Sequence, residues 1–84
     1  ETDPVHLTPT EFGLLRALAE TPGHALTRAE MIERGLGYSY DGLDRTVDSH
    51  VRNLRRKLDE ASPGADMIET VFGVGYRLAA GGGA

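Results

Sequence analysis

The sequence predicts a mainly α-helical domain with a small β component, in which three helices are followed by a C-terminal β-hairpin. Two threonine capping boxes stand ahead of apolar periodic stretches, and a long amphipathic stretch precedes two strand-like runs separated by a glycine turn. At 84 residues the chain has room for one modest core. We expect one domain over 5–79, with a residual N-terminal segment over 1–4 and a flexible tail over 80–84.

The first helix is predicted over 9–20. Thr8 can cap it, and Glu11 three residues later completes a capping box. Leu7 with Phe12 forms a candidate hydrophobic staple, and Thr21-Pro22-Gly23 ends the helix. Within it, Gly13 should cost about 1 kcal/mol relative to Ala. Apolar residues recur at helical spacing at Phe12, Leu15, Leu18 and Ala19. Of these, Phe12, Leu15 and Leu18 are expected in the core.

A second, shorter helix is predicted over 28–34. Thr27 and Glu30 repeat the capping box, and Leu26 with Met31 repeats the staple. Met31 and Ile32 are expected in the core, and the glycines at 35 and 37 end the helix. The loop that follows, over 35–43, exceeds the 3–4 residues usual in a helix-turn-helix.

The third helix is predicted over 44–61, with Asp48 and Arg52 as an i, i+4 ion pair. Its narrow apolar stripe consists of Val47, Val51, Leu54 and Leu58. Strand-like runs follow over 66–71 and 75–78, joined by a turn at 72–74, and residues 5–7 allow one short strand. This order of elements is that of a winged helix-turn-helix.

Charge is distributed unevenly along the chain. The formal net charge of −4 argues against a nucleic-acid partner at first sight. Residues 45–58 nevertheless carry five Lys or Arg and one acid, a local charge of +4, which leaves −8 for the remainder. The side of the third helix opposite its apolar stripe carries Arg45, Ser49, Arg52, Asn53 and Arg56, with His50, Arg55 and Lys57 on the flanks.

That polar face has the chemistry of major-groove recognition. Arg can donate two hydrogen bonds to guanine, Asn can exchange two with adenine, and Ser serves either base. Flanking residues such as Arg55 and Lys57 suit phosphates, which give affinity without sequence information. Two alternatives remain: an ordinary solvated helix face, and a protein-interaction module that contacts an acidic partner.

Other chemistry has little support in the sequence. There is no cysteine, and the three histidines (His6, His24 and His50) share no metal-ligand spacing. Nothing places a nucleophile beside a base, so we expect neither an enzyme nor a cofactor. No apolar run reaches the roughly 20 residues of a membrane span, and the first residues show no basic-then-apolar pattern, so we expect neither a membrane span nor a leader.

Three segments carry a family resemblance: LTPTEFGLL at 7–15, RTVDSHVRNLRRKL at 45–58 and IETVFGVGYRL at 68–78. Together they resemble the winged-helix effector domain of OmpR/PhoB-type response regulators. The resemblance implies a cytoplasmic transcription factor of a two-component system. It also implies a preceding receiver domain, phosphorylated by a sensor histidine kinase, and head-to-tail dimers on direct repeats. An activator that uses the same domain without a phosphorylated receiver is the alternative.

Position by position, the resemblance implies that the third helix enters the major groove. DNA contacts are then expected from Arg45, Ser49, His50, Arg52, Asn53, Arg55 and Arg56, in addition to the flanking Lys57, and a phosphate contact from Thr70. The wing (Phe72, Gly73 and Val74) would contact the minor groove or backbone, and the loop of Gly37, Tyr38, Ser39, Tyr40 and Asp41 would contact RNA polymerase.

The chain departs from the family pattern in several places. Phe72 stands where many members carry Arg, Leu36 where Trp is common, and Asn53 where some have Arg. We expect the family's N-terminal four-stranded sheet to be largely missing, with only residues 5–7 available for it. We therefore expect part of the first helix to be uncovered, and the domain to be marginally stable or prone to self-association.

Overall fold

Three helices and a three-stranded antiparallel sheet make up the computed structural model, which describes residues 6–37, 46–64 and 66–79. In chain order the elements are α1 (Pro9–Glu20), β1 (Leu26–Thr27), α2 (Arg28–Gly35), α3 (Thr46–Ala61), β2 (Ile68–Val71) and β3 (Gly75–Leu78). The strand order is β1-β3-β2. The mainly helical winged fold predicted from the sequence is thus confirmed.

Both predicted capping boxes are present. Thr8 Oγ1 accepts from the Glu11 backbone N–H at 3.1 Å, and Glu11 Oε1 accepts from the Thr8 N–H at 3.0 Å. Thr27 and Glu30 repeat the arrangement at 3.1 and 2.8 Å. Because each box satisfies two otherwise unpaired groups, it fixes where its helix begins. The bounds of α1 match the prediction, α2 is one residue longer, and positions 44–45 of the predicted third helix lie outside the described residues.

Strand β1 was not predicted. It consists of two residues that also precede and cap α2, and it pairs Leu26 with Tyr76 and Thr27 with Gly75. Gly75 permits this pairing, because a Cβ there would collide with the carbonyl oxygen of Leu26. Strand β2 begins at Ile68, two residues later than predicted. The possible strand over 5–7 is not seen at 6–7, and residue 5 lies outside the described residues.

The core lies between α1, α2, α3 and the sheet, and the predicted stripe of α3 faces it. Its buried apolar members are Leu14, Ala17, Leu18, Leu26, Met31, Val47, Val51, Leu54, Ile68 and Tyr76. One core prediction for α1 was wrong, because Phe12 is 57% exposed. Leu15, Ile32 and Leu58 pack on the core while only partly buried.

A glycine contact explains why α1 presents a different face from the one expected. The two helices α1 and α2 cross where Gly13 meets Gly35, so closely that a Cβ on Gly13 would lie 2.5 Å from the Gly35 carbonyl oxygen. This crossing turns Leu14 and Leu18 inward and leaves Phe12 outside. The glycine that weakens helix propensity is therefore what lets the two helices approach.

Candidate nucleic-acid interface

One face of α3 is polar, exposed and unoccupied by neighbouring parts of the described chain. While Val47, Val51 and Leu54 are buried on the inner side, the exposed residues of the outer side are Ser49, Arg52, Asn53 and Arg56. Within 6–37, 46–64 and 66–79, none of these four side chains has a hydrogen bond or ion pair. His50 is half-buried, and Arg45 lies outside the described residues.

The first turn of α3 is attached to α2 and to the sheet through Asp48. Its Oδ1 accepts from Arg28 Nε at 2.6 Å and from the Tyr76 hydroxyl at 2.7 Å. These hydrogen bonds, the one from Arg28 first, hold the pKa of Asp48 below its usual range. The predicted Asp48–Arg52 ion pair is therefore wrong, because the carboxylate faces α2 and β3. Consequently Asp48 does not neutralise Arg52.

Tyr76, on strand β3, contacts both Asp48 and Arg28 and so links this pair to the β-hairpin. The guanidinium groups of Arg28 and Arg55 lie over its ring, 5.4 and 5.3 Å from the centroid. Arg55 Nη2 also donates to Thr70 Oγ1 at 2.6 Å, so α3 is joined directly to β2. Burial, followed by the hydrogen bond to Asp48, raises the pKa of Tyr76 and keeps its hydroxyl protonated as a donor.

Arg55 is the most constrained guanidinium of α3. Its Nε is buried and has no hydrogen-bond partner among the described residues. The charge is instead stabilised by the ring of Tyr76 and the hydroxyl of Thr70. The fold thus brings together Arg55, which the polar face of the third helix assigns to DNA contact, and Thr70, which the family resemblance assigns to it.

Lys57 extends from α3 towards α1 instead of outwards. Its Nζ donates to Glu11 Oε1 at 2.7 Å, and the two side chains are 25% and 4% exposed. Burial alone would raise the pKa of Glu11, but the bonds from Lys57 and the Thr8 backbone outweigh it and lower that pKa. Sequence reasoning did not foresee the contact. The available signal was that Glu11 lies three residues before the buried Leu14, on the same helix face.

The wing tip is apolar and projects into solvent. Phe72 is 91% exposed and Val74 is 41% exposed. The turn is closed by a hydrogen bond from the Val74 N–H to the Val71 carbonyl oxygen at 3.0 Å, and Gly73 has a φ of 82°. Of the predicted polymerase loop only Gly37 is described, with a φ of 87°, and positions 38–41 lie outside the described residues.

The described residues offer no obvious centre for other chemistry. Among them no group of three or more His, Asp or Glu side chains could hold a metal ion. No helix within the same ranges is long and apolar enough to cross a bilayer. A groove of about 700 Å³ between α3 and β2 is lined by both cations and carboxylates, including Arg56, Asp59 and Glu69. Such a mixed lining does not define an anion site.

Fold and surface together define a winged helix-turn-helix whose third helix presents an open polar face. Residues 2–78 match the family model described as "Transcriptional regulatory protein, C terminal", and the chain belongs to this family. It is 45% identical over 75 residues to the transcriptional regulatory protein SrrA of Staphylococcus aureus. The alignment covers 88% of this chain and 31% of SrrA, so the chain spans about a third of that relative.

Solved structures of related domains have the same architecture. The DNA-binding domain of the response regulator AdeR, in complex with an intercistronic region, superposes with a TM-score of 0.77 at 40% identity, covering 89% of this chain and 74% of that one. The RstA DNA-binding domain of Klebsiella pneumoniae, in complex with an RstA box, gives 0.70 at 35% identity with the same coverages. The DNA-binding domain of Bacillus subtilis CssR gives 0.70 at 39%, covering 88% and 78%.

Proposed function

We propose that this chain binds double-stranded DNA sequence-specifically, as the effector domain of a two-component response regulator that controls transcription. Helix α3 would lie in the major groove. The observation that carries the proposal is the open outer face of Ser49, Arg52, Asn53 and Arg56 on a helix fixed at both ends of that face. Guanidinium and carboxamide groups free of internal partners can pair with base edges.

Related proteins support the proposed DNA binding. The similar AdeR and RstA domains were solved with DNA, and the family is one of transcriptional regulators. By extension, we infer a receiver domain, a sensor histidine kinase, RNA polymerase as a partner of the loop containing Gly37, and homodimers on direct repeats. We also infer a cytoplasmic location and no enzymatic activity of the domain. Each of these rests on relatives longer than this chain.

Phosphate contacts are best assigned to residues whose donors remain available. Thr70 Oγ1 accepts from Arg55, which leaves the hydroxyl hydrogen of Thr70 free to donate to a phosphate oxygen. Arg55 contributes positive charge beside that hydroxyl. Lys57 fits this role less well than the sequence suggests, because its ammonium donates to the buried Glu11. We therefore assign Lys57 to holding α3 against α1.

Selection from random DNA duplexes tests the proposal. The chain is expected to enrich one sequence, arranged as a direct repeat, at moderate salt. The double variant Arg52→Ala/Arg56→Ala should lose that enrichment. A matched control, Arg16→Ala/Arg34→Ala, removes the same charge from α1 and α2 and should keep it. Failure to enrich any duplex contradicts the proposal and favours a module that binds an acidic protein.

A further inference from the structure

The wing tip combines an exposed aromatic ring with a narrow backbone. Phe72 is 91% exposed, whereas folded proteins normally keep such a ring at least partly covered. Its neighbour Gly73 has no side chain, and space around its Cβ position is open to 4 Å. The tip is therefore slim, apolar and free of charged side chains, unlike the cationic face of α3.

The tip lies close to the proposed DNA interface. Thr70 is bound to Arg55 of α3, and Phe72 follows Thr70 by two residues, about 7 Å at the rise of a β-strand. If α3 occupies the major groove, Arg55 and Thr70 face the phosphates at its edge. Only that row of phosphates separates the major from the minor groove. A tip lying beyond Thr70 therefore reaches the minor groove.

Charge around the tip is compatible with this position. The nearest carboxylate of the hairpin, Glu69, is paired with Arg77 at 2.6 Å. The turn itself (72–74) carries no acid that phosphates would repel, and no base that would favour the backbone over the groove. An apolar ring gains nothing from phosphate oxygens, but it can stack on bases that are partly separated.

We propose that Phe72 is an apolar wedge, which inserts from the minor-groove side between two base pairs next to the site read by α3. This inference rests on the proposed DNA binding. Side chains such as Phe that enter the minor groove unstack one base step and kink the duplex towards the major groove. The wedge therefore selects flexible pyrimidine–purine steps over stiff A-tracts without a hydrogen bond to either base.

Fluorescence of 2-aminopurine measures the unstacking directly. The probe is placed in turn at each step that flanks the half-site recovered by selection, and the chain is added at saturating concentration. With the wild-type chain we expect the 2-aminopurine fluorescence to rise at one base step. Phe72→Ala should abolish the rise, Phe72→Leu should keep part of it, and Phe12→Ala should leave it unchanged. Phe12 is a matched control because its ring is also exposed, but on α1.

Affinity provides a second readout. Phe72→Ala should bind the selected duplex about tenfold more weakly. Replacing the flexible step by an A-tract should weaken the wild-type chain but have little effect on Phe72→Ala, since the wedge is already gone. Thermal unfolding should be the same for both chains, because Phe72 is almost fully exposed.

The outcomes distinguish this inference from the proposed function. A selected duplex that binds Phe72→Ala as tightly, with unchanged fluorescence, overturns the wedge and leaves DNA recognition by α3 intact. A change only in self-association, measured by sedimentation, overturns it in favour of a protein contact. If no duplex is enriched by the wild-type chain, the wedge and the proposed function both fail.

Discussion

Lys57 on α3 donates a hydrogen bond to the buried carboxylate of Glu11 on α1, over 2.7 Å. The same Glu11 oxygen accepts from the Thr8 N–H and so caps its own helix. One carboxylate thus fixes both where α1 begins and how α3 lies against it. Because α3 also carries the exposed polar face, this ion pair contributes to the orientation of the proposed interface.

Breaking that pair should cost far more than breaking an exposed one. Lys57→Met leaves the Glu11 carboxylate buried without its cation, and we expect a loss of about 2–3 kcal/mol in the free energy of unfolding. Arg77→Met is the control: the Arg77–Glu69 pair is about half exposed on both sides, and its loss should cost about 0.5 kcal/mol or less. Urea denaturation of both variants measures the difference. Equal losses of unfolding free energy in the two variants would show that the buried pair stabilises the chain no more than an exposed pair does.

Stability should fall in acid partly through Glu11. Its pKa is lowered in the folded chain despite burial, because Lys57 and Thr8 hydrogen-bond the carboxylate. A lowered folded-state pKa stabilises the chain above the unfolded pKa, ordinarily about 4.3, and this contribution is lost as pH falls through the folded value. Glu11→Gln should therefore flatten the decline in unfolding free energy below about pH 4. Urea titrations across pH 2–7 check it.

Other carboxylates provide the control for that experiment. The pKa of Asp48 is also lowered, first by Arg28 and then by Tyr76. An acid-dependent decline should therefore persist in Glu11→Gln and be weaker still in Glu11→Gln/Asp48→Asn. A single variant with a decline as steep as that of the wild type would contradict the assignment to Glu11.

Local sequence signals predicted the helices and the hairpin well. Capping boxes and glycine stops are encoded within a few residues, so the bounds of α1 and the strand at 75–78 agree with the structure. The apolar stripe of α3 was also predicted correctly, because its residues recur at helical spacing on one narrow face. Prediction succeeded where the determining contacts are close in sequence.

Long-range contacts account for the errors. Strand β1 exists because Leu26 pairs with Tyr76, fifty residues later, and two residues carry no periodicity of their own. Asp48 does not pair with Arg52, because its carboxylate accepts hydrogen bonds from Arg28 at 2.6 Å and from Tyr76 at 2.7 Å. Phe12 lies outside the core because the Gly13–Gly35 crossing sets the rotation of α1. None of these pairings is visible in a local window.

Gly13→Ala tests whether that crossing outweighs helix propensity. Propensity alone predicts a gain of about 1 kcal/mol. The added Cβ would lie 2.5 Å from the Gly35 carbonyl oxygen and 2.8 Å from a Leu36 methyl carbon. The helices must therefore separate, and we expect a net loss of about 1–3 kcal/mol. Ala19→Gly, on the exposed side of α1, measures propensity without the contact. A stabilised Gly13→Ala chain would contradict the packing argument.

Asn53 and Arg56 separate base recognition from electrostatic attraction. Both are exposed on the outer face of α3. Asn53→Ala removes a neutral hydrogen-bonding group, so discrimination should relax at one base position by about 1–3 kcal/mol while the salt dependence stays the same. Arg56→Ala also removes a charge, and the slope of log K against log salt should become shallower by about 1. Binding titrations on the selected duplex and its single-base variants, at several salt concentrations, measure both quantities. Identical slopes for the two variants would show that Arg56 does not contact the DNA phosphates. Unchanged discrimination by Asn53→Ala would show that Asn53 does not recognise a base.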